Sequence, residues 1–330
     1  MRTKKELKKE IFALDPSALP DHIEVGDVVT NLIAGAPTLA MLNPQTGVKA
    51  GTTAQLNILT SDVTWTNSNC QTAETGDNTV ITDRNITTTR INDREINCLD
   101  VMDAKLPMYM AAGAHNEDTD IAQIIIEEKQ KRNSKQLEKL VWRGDTAGSG
   151  NLSLTDGYLK IAQGETGDLG YYQAYGAGDL TGIANFAADP IGAVKAILKN
   201  RTDELYDAEE VCLWMSLPNM NLLADKIRDT YGLDATASFV NTGDENRDGK
   251  HTFKFPGTNL IIKGTHGLNG GDDLFCTYEA NLRYATDLES DLEEVDVFYD
   301  KFNKAFVTDI VFAIGFNYQD PSQVLYVPAP

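Results

Sequence analysis

The residues whose spacing is most suggestive of chemistry lie between Asp244 and Gly249. The run Asp244-Glu245-Asn246-Arg247-Asp248-Gly249 has oxygen-bearing side chains at alternate positions before a glycine, the pattern of the first half of a calcium loop. The second half is missing, because Phe255 occupies the position that should supply a bidentate glutamate. We therefore interpret the run as a polar surface loop. A soluble acidic calcium-binding enzyme or binding module is the alternative.

The histidines and cysteines do not predict a metal site. None of the four histidines pairs with another at the spacing of metal ligands (His22, His115, His251 and His266). The four cysteines are far apart and lack the close pairs of a structural zinc site or a redox motif (Cys70, Cys98, Cys212 and Cys276). We expect isolated thiols in a reducing compartment.

Motifs of nucleophilic and nucleotide chemistry are also missing from the sequence. There is no Gly-x-Ser-x-Gly elbow, phosphate-binding loop or dinucleotide fingerprint, and Gly148-Ser149-Gly150 lacks both the spacing and the flanking strand. One acidic cluster could bind a cation, but a run of charges is more often a solvated surface (Asp287, Glu289, Asp291, Glu293 and Glu294). We predict no catalytic, cofactor-binding or metal-binding residue, and no enzyme.

Composition narrows the class of protein. Of 330 residues, 42% are hydrophobic and 24% are charged, which is typical of a globular protein of one to three domains. The net charge of -20 should make the body repel phosphates, which disfavours a sequence-reading nucleic-acid binder. The apolar runs are too short to cross a bilayer, and the N-terminus does not have the form of an export signal.

The N-terminal region predicts an arm rather than a domain. Met1–Glu10 carries five basic residues and two acidic ones. It is either a basic arm that reaches a neighbouring copy or nucleic acid, or a solvated, frayed terminus. From Asp15 to Pro44, four prolines separate short apolar pieces, which is typical of an extended segment lying on another surface.

Residues 48 to 100 are rich in threonine and asparagine, with turn formers at Gly76-Asp77-Asn78. This pattern predicts a long β-hairpin of two polar arms with little apolar content to bury. Because an isolated two-stranded hairpin is only marginally ordered in water, such a hairpin needs a partner surface.

The elements that follow are organised around one long helix. Glu117 to Arg143 contains neither glycine nor proline, begins after the candidate cap Asn116 and ends before Gly144. At about 1.5 Å per residue it would be roughly 40 Å long. Its middle, Glu127 to Gln136, has no apolar residue, so we expect a helix packed at both ends and exposed along its waist. The alternative is two helices broken near Asn133-Ser134.

Alternating helices and strands after residue 160 predict a compact α/β subdomain to about residue 280. The helices expected there run from Asp189-Pro190 to about Arg201 and from about Pro218 to Tyr231; the strands are Val211–Met215, Asn259–Lys263 and Leu274–Tyr278. Two further strands close the chain, Val295–Tyr299 and an apolar strand, Ala305–Tyr318, broken by Gly315. We expect this pair to form a sheet under the long helix.

This order of elements resembles the plan of tailed-phage major capsid proteins with the Hong Kong 97 fold, an α+β fold. Five short segments of the sequence also resemble that family. They are Leu140-Val141-Trp142-Arg143-Gly144-Asp145, Asp156-Gly157-Tyr158-Leu159-Lys160-Ile161, Val211-Cys212-Leu213-Trp214-Met215-Ser216, Asn281-Leu282-Arg283-Tyr284-Ala285-Thr286-Asp287-Leu288 and Gly315-Phe316-Asn317-Tyr318. The resemblance spans nearly the whole chain.

The resemblance implies a division into four parts. These are an N-terminal arm (1–47), an extended loop (48–106), a peripheral domain with the spine helix 117–143 (107–160 with 280–330) and an α/β axial domain (161–279). It implies a structural protein of the virion, assembled in the host bacterial cytoplasm into an icosahedral shell around double-stranded DNA. Implied partners are further copies in hexamers and pentamers, a separate scaffolding protein, a portal, possible decoration proteins and weakly bound DNA.

Two departures limit what the resemblance implies. Some family members weld their shells through a lysine on the extended loop, but no lysine lies between Lys49 and Lys105. Others carry a long charged leader that acts as an internal scaffold, whereas this chain reaches the arm soon after Met1.

An encapsulin-type compartment holding an enzyme is the rival within the same fold. A self-contained globule whose whole segment 48 to 106 folds back onto its own core would contradict both.

Overall fold

The computed structural model of the chain describes residues 35–61, 79–98, 121–208, 210–231, 252–255, 257–287, 295–300 and 305–330. The described helices are α1 (Pro37–Met41), α2 (Ile121–Arg143), α3 (Tyr158–Gly164), α4 (Pro190–Lys199), α5 (Asp203–Asp207) and α6 (Leu217–Tyr231). The described strands are β1 (Pro44–Gln45), β2 (Thr53–Ser61), β3 (Thr79–Thr87), β4 (Thr89–Cys98), β5 (Tyr171–Tyr172), β6 (Val211–Ser216), β7 (Thr252–Lys254), β8 (Leu260–Thr265), β9 (Leu274–Thr277), β10 (Leu282–Thr286), β11 (Val295–Asp300), β12 (Ala305–Tyr318) and β13 (Leu325–Val327).

A five-stranded sheet is built around β12. On one side β12 pairs antiparallel with β11 and then with β10, and on the other side with β4; β1 is the fifth strand and pairs parallel with β10. The prediction that the last two long strands form a sheet beside the long helix is confirmed. The predicted break at Gly315 is wrong, because β12 continues through it and pairs Gly315 with Ala285.

A six-stranded sheet has the order β5-β13-β9-β6-β8-β7. β6 and β8 run parallel and are connected through α6, and α4 packs beside α6. The predicted helices and strands of this α/β unit are confirmed to within a few residues, and α4 begins as expected, with Asp189 accepting a hydrogen bond from the backbone N–H of Gly192 at 2.9 Å. Strand β13 comes from the C-terminal end of the chain.

The long helix is a single helix over its described length. It shows no break at Asn133-Ser134, where the Ser134 hydroxyl donates to the Gln130 carbonyl at 2.8 Å. The candidate cap Asn116 lies outside the described residues. The prediction of an exposed waist is wrong on one side, because Lys129 there has only 14% of its side chain exposed and pairs with two carboxylates on β4.

Strands β2 and β3 form an antiparallel hairpin that is a sheet of its own, with Thr53 opposite Thr87 and Ser61 opposite Thr79. The predicted hairpin is confirmed for these strands, and its turn lies outside the described residues. Its second arm was expected to run to residue 100, and this part of the prediction is wrong. After Thr88 the chain enters β4, which pairs along β12 from Thr89 opposite Ile314 to Cys98 opposite Ala305. Residues 89–98 therefore belong to the core sheet. Burial alternates along this strand, with Ile91 buried and Asp93 and Glu95 partly buried on one face, and Ile96 exposed on the other.

Two buried clusters lie on opposite faces of the six-stranded sheet. One is enclosed with α4 and α6 and contains Leu213, Met215 and Ile262. The other joins the opposite face to α2, α3 and the five-stranded sheet. The second cluster also includes Ala36, Leu39 and Leu42, so the end of the N-terminal segment lies on the chain's own core, as an arm without a core of its own would.

Candidate functional site

Most of the residues that the sequence singled out for chemistry lie outside the part of the chain that the structure describes. The half calcium loop at Asp244–Gly249 and most of the acidic cluster, residues 288–294, lie outside the described residues. Phe255, at the end of that loop, is buried. Among the described residues, no group of three histidine, cysteine or acidic side chains could hold a metal ion. In the same residues, no helix is long and apolar enough to span a membrane.

The most densely built site is the C-terminal end of α2. The ring of Trp142 lies 5.6 Å from Tyr158 on α3, 5.7 Å from Trp214 on β6 and 5.6 Å from Phe275 on β9, centroid to centroid. All four rings are buried. Aromatic contacts at these distances add about 0.5–1.5 kcal/mol per pair beyond the area they bury. Because three of the rings come from the local sequence matches, those scattered matches meet here at one point in the fold.

Close backbone approach completes this packing. At Gly267, between β8 and β9, an added Cβ would lie 2.4 Å from the Glu138 carbonyl oxygen and 2.5 Å from Cδ1 of Trp142. Only glycine allows the turn after β8 to lie this close to α2. The six-stranded sheet is thereby held against the spine helix.

Beside the aromatic cluster, α2 carries the fully buried carboxylate of Glu138. Its Oε2 accepts from the backbone N–H of Thr38 at 3.0 Å, and its Oε1 accepts from the Thr38 hydroxyl at 2.5 Å and from the hydroxyl of Thr265. The indole N–H of Trp142 donates to Thr38 Oγ1 at 2.9 Å and to Glu138 Oε1 at 3.3 Å. This one carboxylate therefore joins α1, α2 and the end of β8.

An ion pair lies next to α1 on its other side. Lys263 on β8 pairs with Glu279, and Met41 Sδ is 3.3 Å from the lysine nitrogen. The thiol of Cys212 lies 3.7 Å from Glu279 Oε1. Burial raises the pKa of Cys212 to about 12, although the neighbouring Lys263 opposes the shift. A protonated, buried thiol is unreactive, as expected for an isolated cysteine.

The hairpin is attached to the body at its base. The guanidinium of Arg84 on β3 donates to both carboxylate oxygens of Glu165, at 3.0 and 2.9 Å, and to the Tyr318 carbonyl at 3.0 Å. It also lies 4.7 Å from the centre of the Tyr318 ring. Gly315 lets the hairpin reach this point, since a Cβ there would lie 2.3 Å from the Thr87 carbonyl oxygen. We call these contacts the hairpin clamp.

The hairpin has an inner and an outer face. Ala54, Leu56 and Ile86 are buried and pack with Ala285 of β10. The register puts Gln55, Asn57, Asp83 and Asn85 on the opposite face, where all four are exposed. Ile81 shares the outer face, opposite Leu59, and 61% of it is exposed. An apolar side chain on a polar face is a place where another surface could bind.

Sequence reasoning did not identify Glu138, Arg84 or Ile81. The partners of Glu138 and Arg84 are far away in the chain, Thr38 for Glu138 and Glu165 and Tyr318 for Arg84. For Glu138, one signal was present: a glutamate among apolar residues near the end of α2, at a position that helical periodicity places on the buried face. Nothing local distinguished Arg84 from a solvated arginine.

Chains of known structure share this fold. A chain of the satellite phage P4 procapsid, solved with its size determination (Sid) protein, has a TM-score of 0.57 at 12% identity, and the likeness covers 100% of this chain and 98% of that one. The capsid of a native GTA particle gives 0.55 at 15% identity, covering 89% and 90%, and Microbacterium phage Oxtober96 gives 0.53 at 12% identity, covering 89% and 91%. No model of a protein family and no curated protein matches the sequence. The chain therefore has the α+β fold of phage and GTA capsids.

Proposed function

We propose that this chain is the major capsid protein of a tailed bacteriophage, which self-assembles into the icosahedral shell enclosing the double-stranded DNA genome. The observation that carries the proposal is likeness of fold over the whole length of a phage procapsid chain. This likeness agrees with the sequence resemblance to the Hong Kong 97 fold, which rests on separate local matches.

The hairpin supports the same function. At about 3.4 Å per residue, its nine-residue strands extend roughly 30 Å, and its outer face exposes Ile81. Two-stranded hairpins are only marginally stable in water, so a second molecule that covers the outer face would stabilise the hairpin. In an assembly of identical copies, each copy supplies this surface to its neighbour.

We propose the four-part division of the chain with two refinements. The arm is 1–47, the extended loop 48–106, the peripheral domain 107–160 with 280–330, and the axial domain 161–279. Strand β4 ties the end of the extended loop to the peripheral sheet, and β13 carries the C-terminal end into the axial sheet.

The proposal includes the partners and location that go with a shell. Further copies bind in hexamers and pentamers, with a separate scaffolding protein, a portal, possible decoration proteins and no enzymatic step. Assembly takes place in the host bacterial cytoplasm, and the mature location is the virion capsid. The acidic body, with a net charge of -20, keeps DNA from adhering to the wall, so DNA contact is weak and non-specific.

Electron microscopy of negatively stained particles tests the proposal. The full chain is expressed with its candidate scaffolding protein, and closed shells of uniform size are expected. A well-behaved monomer at high concentration in the presence of scaffold would contradict the proposal. Particles purified from cells that produce them naturally should contain nucleic acid, whereas a protein cargo would favour the encapsulin-type compartment.

A further inference from the structure

The buried carboxylate of Glu138 has an unusual set of partners. It is 0% exposed, and the hydrogen bonds that it accepts from the described residues all come from neutral groups: a backbone N–H, two hydroxyls and an indole. A carboxyl group removed from water is costly to bury unless its hydrogen bonds are complete. The four donors are therefore needed together.

Two of the four hydrogen bonds depend on α1. Thr38 supplies both its backbone N–H and its hydroxyl, and it is itself only 1% exposed above the carboxylate. When α1 moves away, Glu138 loses these two partners and water gains access to it. Docking of α1 and dehydration of Glu138 are therefore one event.

Apart from these bonds and the contact of Met41 with Lys263, the described part of the N-terminal segment, residues 35–45, is attached to the body by few contacts. Helix α1 has five residues, β1 pairs through only two residues with β10, and the apolar anchors are Ala36, Leu39 and Leu42. The two large sheets, in contrast, are joined by a ring contact that does not involve α1, since Phe275 of β9 lies 6.5 Å from Tyr318 of β12, centroid to centroid. Segments with few contacts open locally at a lower free energy than the core.

We propose that Glu138 is a latch: it holds residues 36–45 against both sheets in one position, and breaking it releases the segment as a unit while the sheets stay folded. In the proposed shell, on which this step rests, the latch sets the point from which the N-terminal arm leaves the subunit. Glu138 acts as a positioning residue, since its effect is on α1 rather than on any ligand.

Substitutions at two positions separate a latch from an ordinary buried residue. In Glu138→Gln, the amide has one oxygen and one NH₂ group, so one orientation opposes NH₂ to the Thr38 backbone N–H and the other opposes it to the Trp142 indole. Either orientation leaves a donor facing a donor. Thr38→Val removes the hydroxyl from the α1 side without changing the charge at position 138. Thr38→Ser keeps the backbone N–H and the hydroxyl and is the matched control.

Hydrogen exchange measured by mass spectrometry on the full, unassembled chain tests the latch. We expect Glu138→Gln and Thr38→Val to speed exchange of the amides of Ala40 and Leu42 about tenfold, the size expected for loss of one buried hydrogen bond. Protection in β6 and β12 should stay at the wild-type level, and Thr38→Ser should match the wild type throughout.

Two results would overturn the latch. One is equal acceleration across α1, β6 and β12, which would make Glu138 a global stability residue. The other is unchanged protection of Ala40 and Leu42 in Thr38→Val, the variant that also decides the matter if Glu138→Gln does not fold. Because the measurement needs no assembled particle, failure of the shell proposal and failure of the latch are distinguishable.

Discussion

The end of the spine helix and the β2–β3 hairpin differ in how fully their apolar side chains are buried within the chain. Around Trp142, rings from α3, β6 and β9 close a buried cluster with groups of the same chain. The hairpin buries three apolar residues at its base, is held by the clamp at Arg84, and then presents a polar outer face with Ile81 exposed. One region is complete within a subunit. The other leaves Ile81 exposed, on the face that a second copy covers in the proposed shell.

Because of this difference, substitutions in the two regions should affect the stability of the subunit and its assembly separately. Changes around Trp142 should cost the subunit its stability and affect assembly only as a consequence. Changes on the outer face of the hairpin should leave the subunit stable and affect assembly directly. The variants below act on one region at a time.

Trp142→Ala should produce the largest effect. It removes the ring that contacts Tyr158, Trp214 and Phe275 and leaves a cavity, so we expect a loss of about 3–5 kcal/mol in the free energy of unfolding. Tyr231→Ala, at an exposed aromatic residue, should change it by less than about 0.5 kcal/mol. Chemical denaturation measures both. Similar losses in the two variants would mean that the ring cluster is not the centre of the core.

Gly267→Ala tests the close approach beside the same cluster. The new Cβ would lie within contact distance of the Glu138 carbonyl and Trp142, and overpacking of this kind costs about 1–3 kcal/mol. Gly164→Ala is the control, because nothing lies within 4 Å of a Cβ there. Thermal unfolding of the pair should show a lower midpoint only for Gly267→Ala. An unchanged midpoint would show that the loop after β8 can move away from α2.

Arg84→Ala acts at the boundary between the two regions. It removes hydrogen bonds to Glu165 and to the Tyr318 carbonyl from a side chain that is 12% exposed, and we expect a loss of about 1–3 kcal/mol. The matched control is Arg132→Ala, whose side chain is 75% exposed and pairs with Glu128 within the helix, worth about 0.3–0.5 kcal/mol. Limited proteolysis should cut β3 faster in Arg84→Ala alone. Equal cleavage would show that the hairpin is held without the clamp.

Ile81→Thr should have the smallest effect on the subunit and a large one on assembly. Because Ile81 is 61% exposed, the free energy of unfolding should change by less than about 0.5 kcal/mol. The yield of closed particles should fall several-fold. Ile86→Thr, at a fully buried position on the same strand, should instead destabilise the subunit. Assembly of Ile81→Thr at the wild-type level would show that the outer face of the hairpin plays no part in assembly.

Elements with strong local patterns were predictable from the sequence. The long helix follows from a stretch without glycine or proline, α4 from its Asp189 cap and apolar face, and strand β6 from a short apolar run. The hairpin strands were also found, because threonine-rich segments around turn formers favour strands.

Features that depend on partners far along the chain were not predictable. Strand β4 looked like a continuation of the hairpin until its pairing with β12 assigned it to the core sheet. Gly315 looked like a strand break, although its role is to let the Thr87 carbonyl approach. Glu138 gave no sign that Thr38 and Thr265 would meet it. In each case the deciding contact joins segments that local periodicity cannot relate.

Cross-linking between isotopically distinct copies tests most directly whether sister molecules cover the hairpin. A photoreactive residue is placed at position 81, and particles are assembled from an equal mixture of ¹⁴N- and ¹⁵N-labelled chains carrying it. We predict that peptides containing position 81 are cross-linked to peptides of another copy, so that mixed ¹⁴N–¹⁵N products form. Cross-links that join position 81 only to peptides of the same chain would contradict the account.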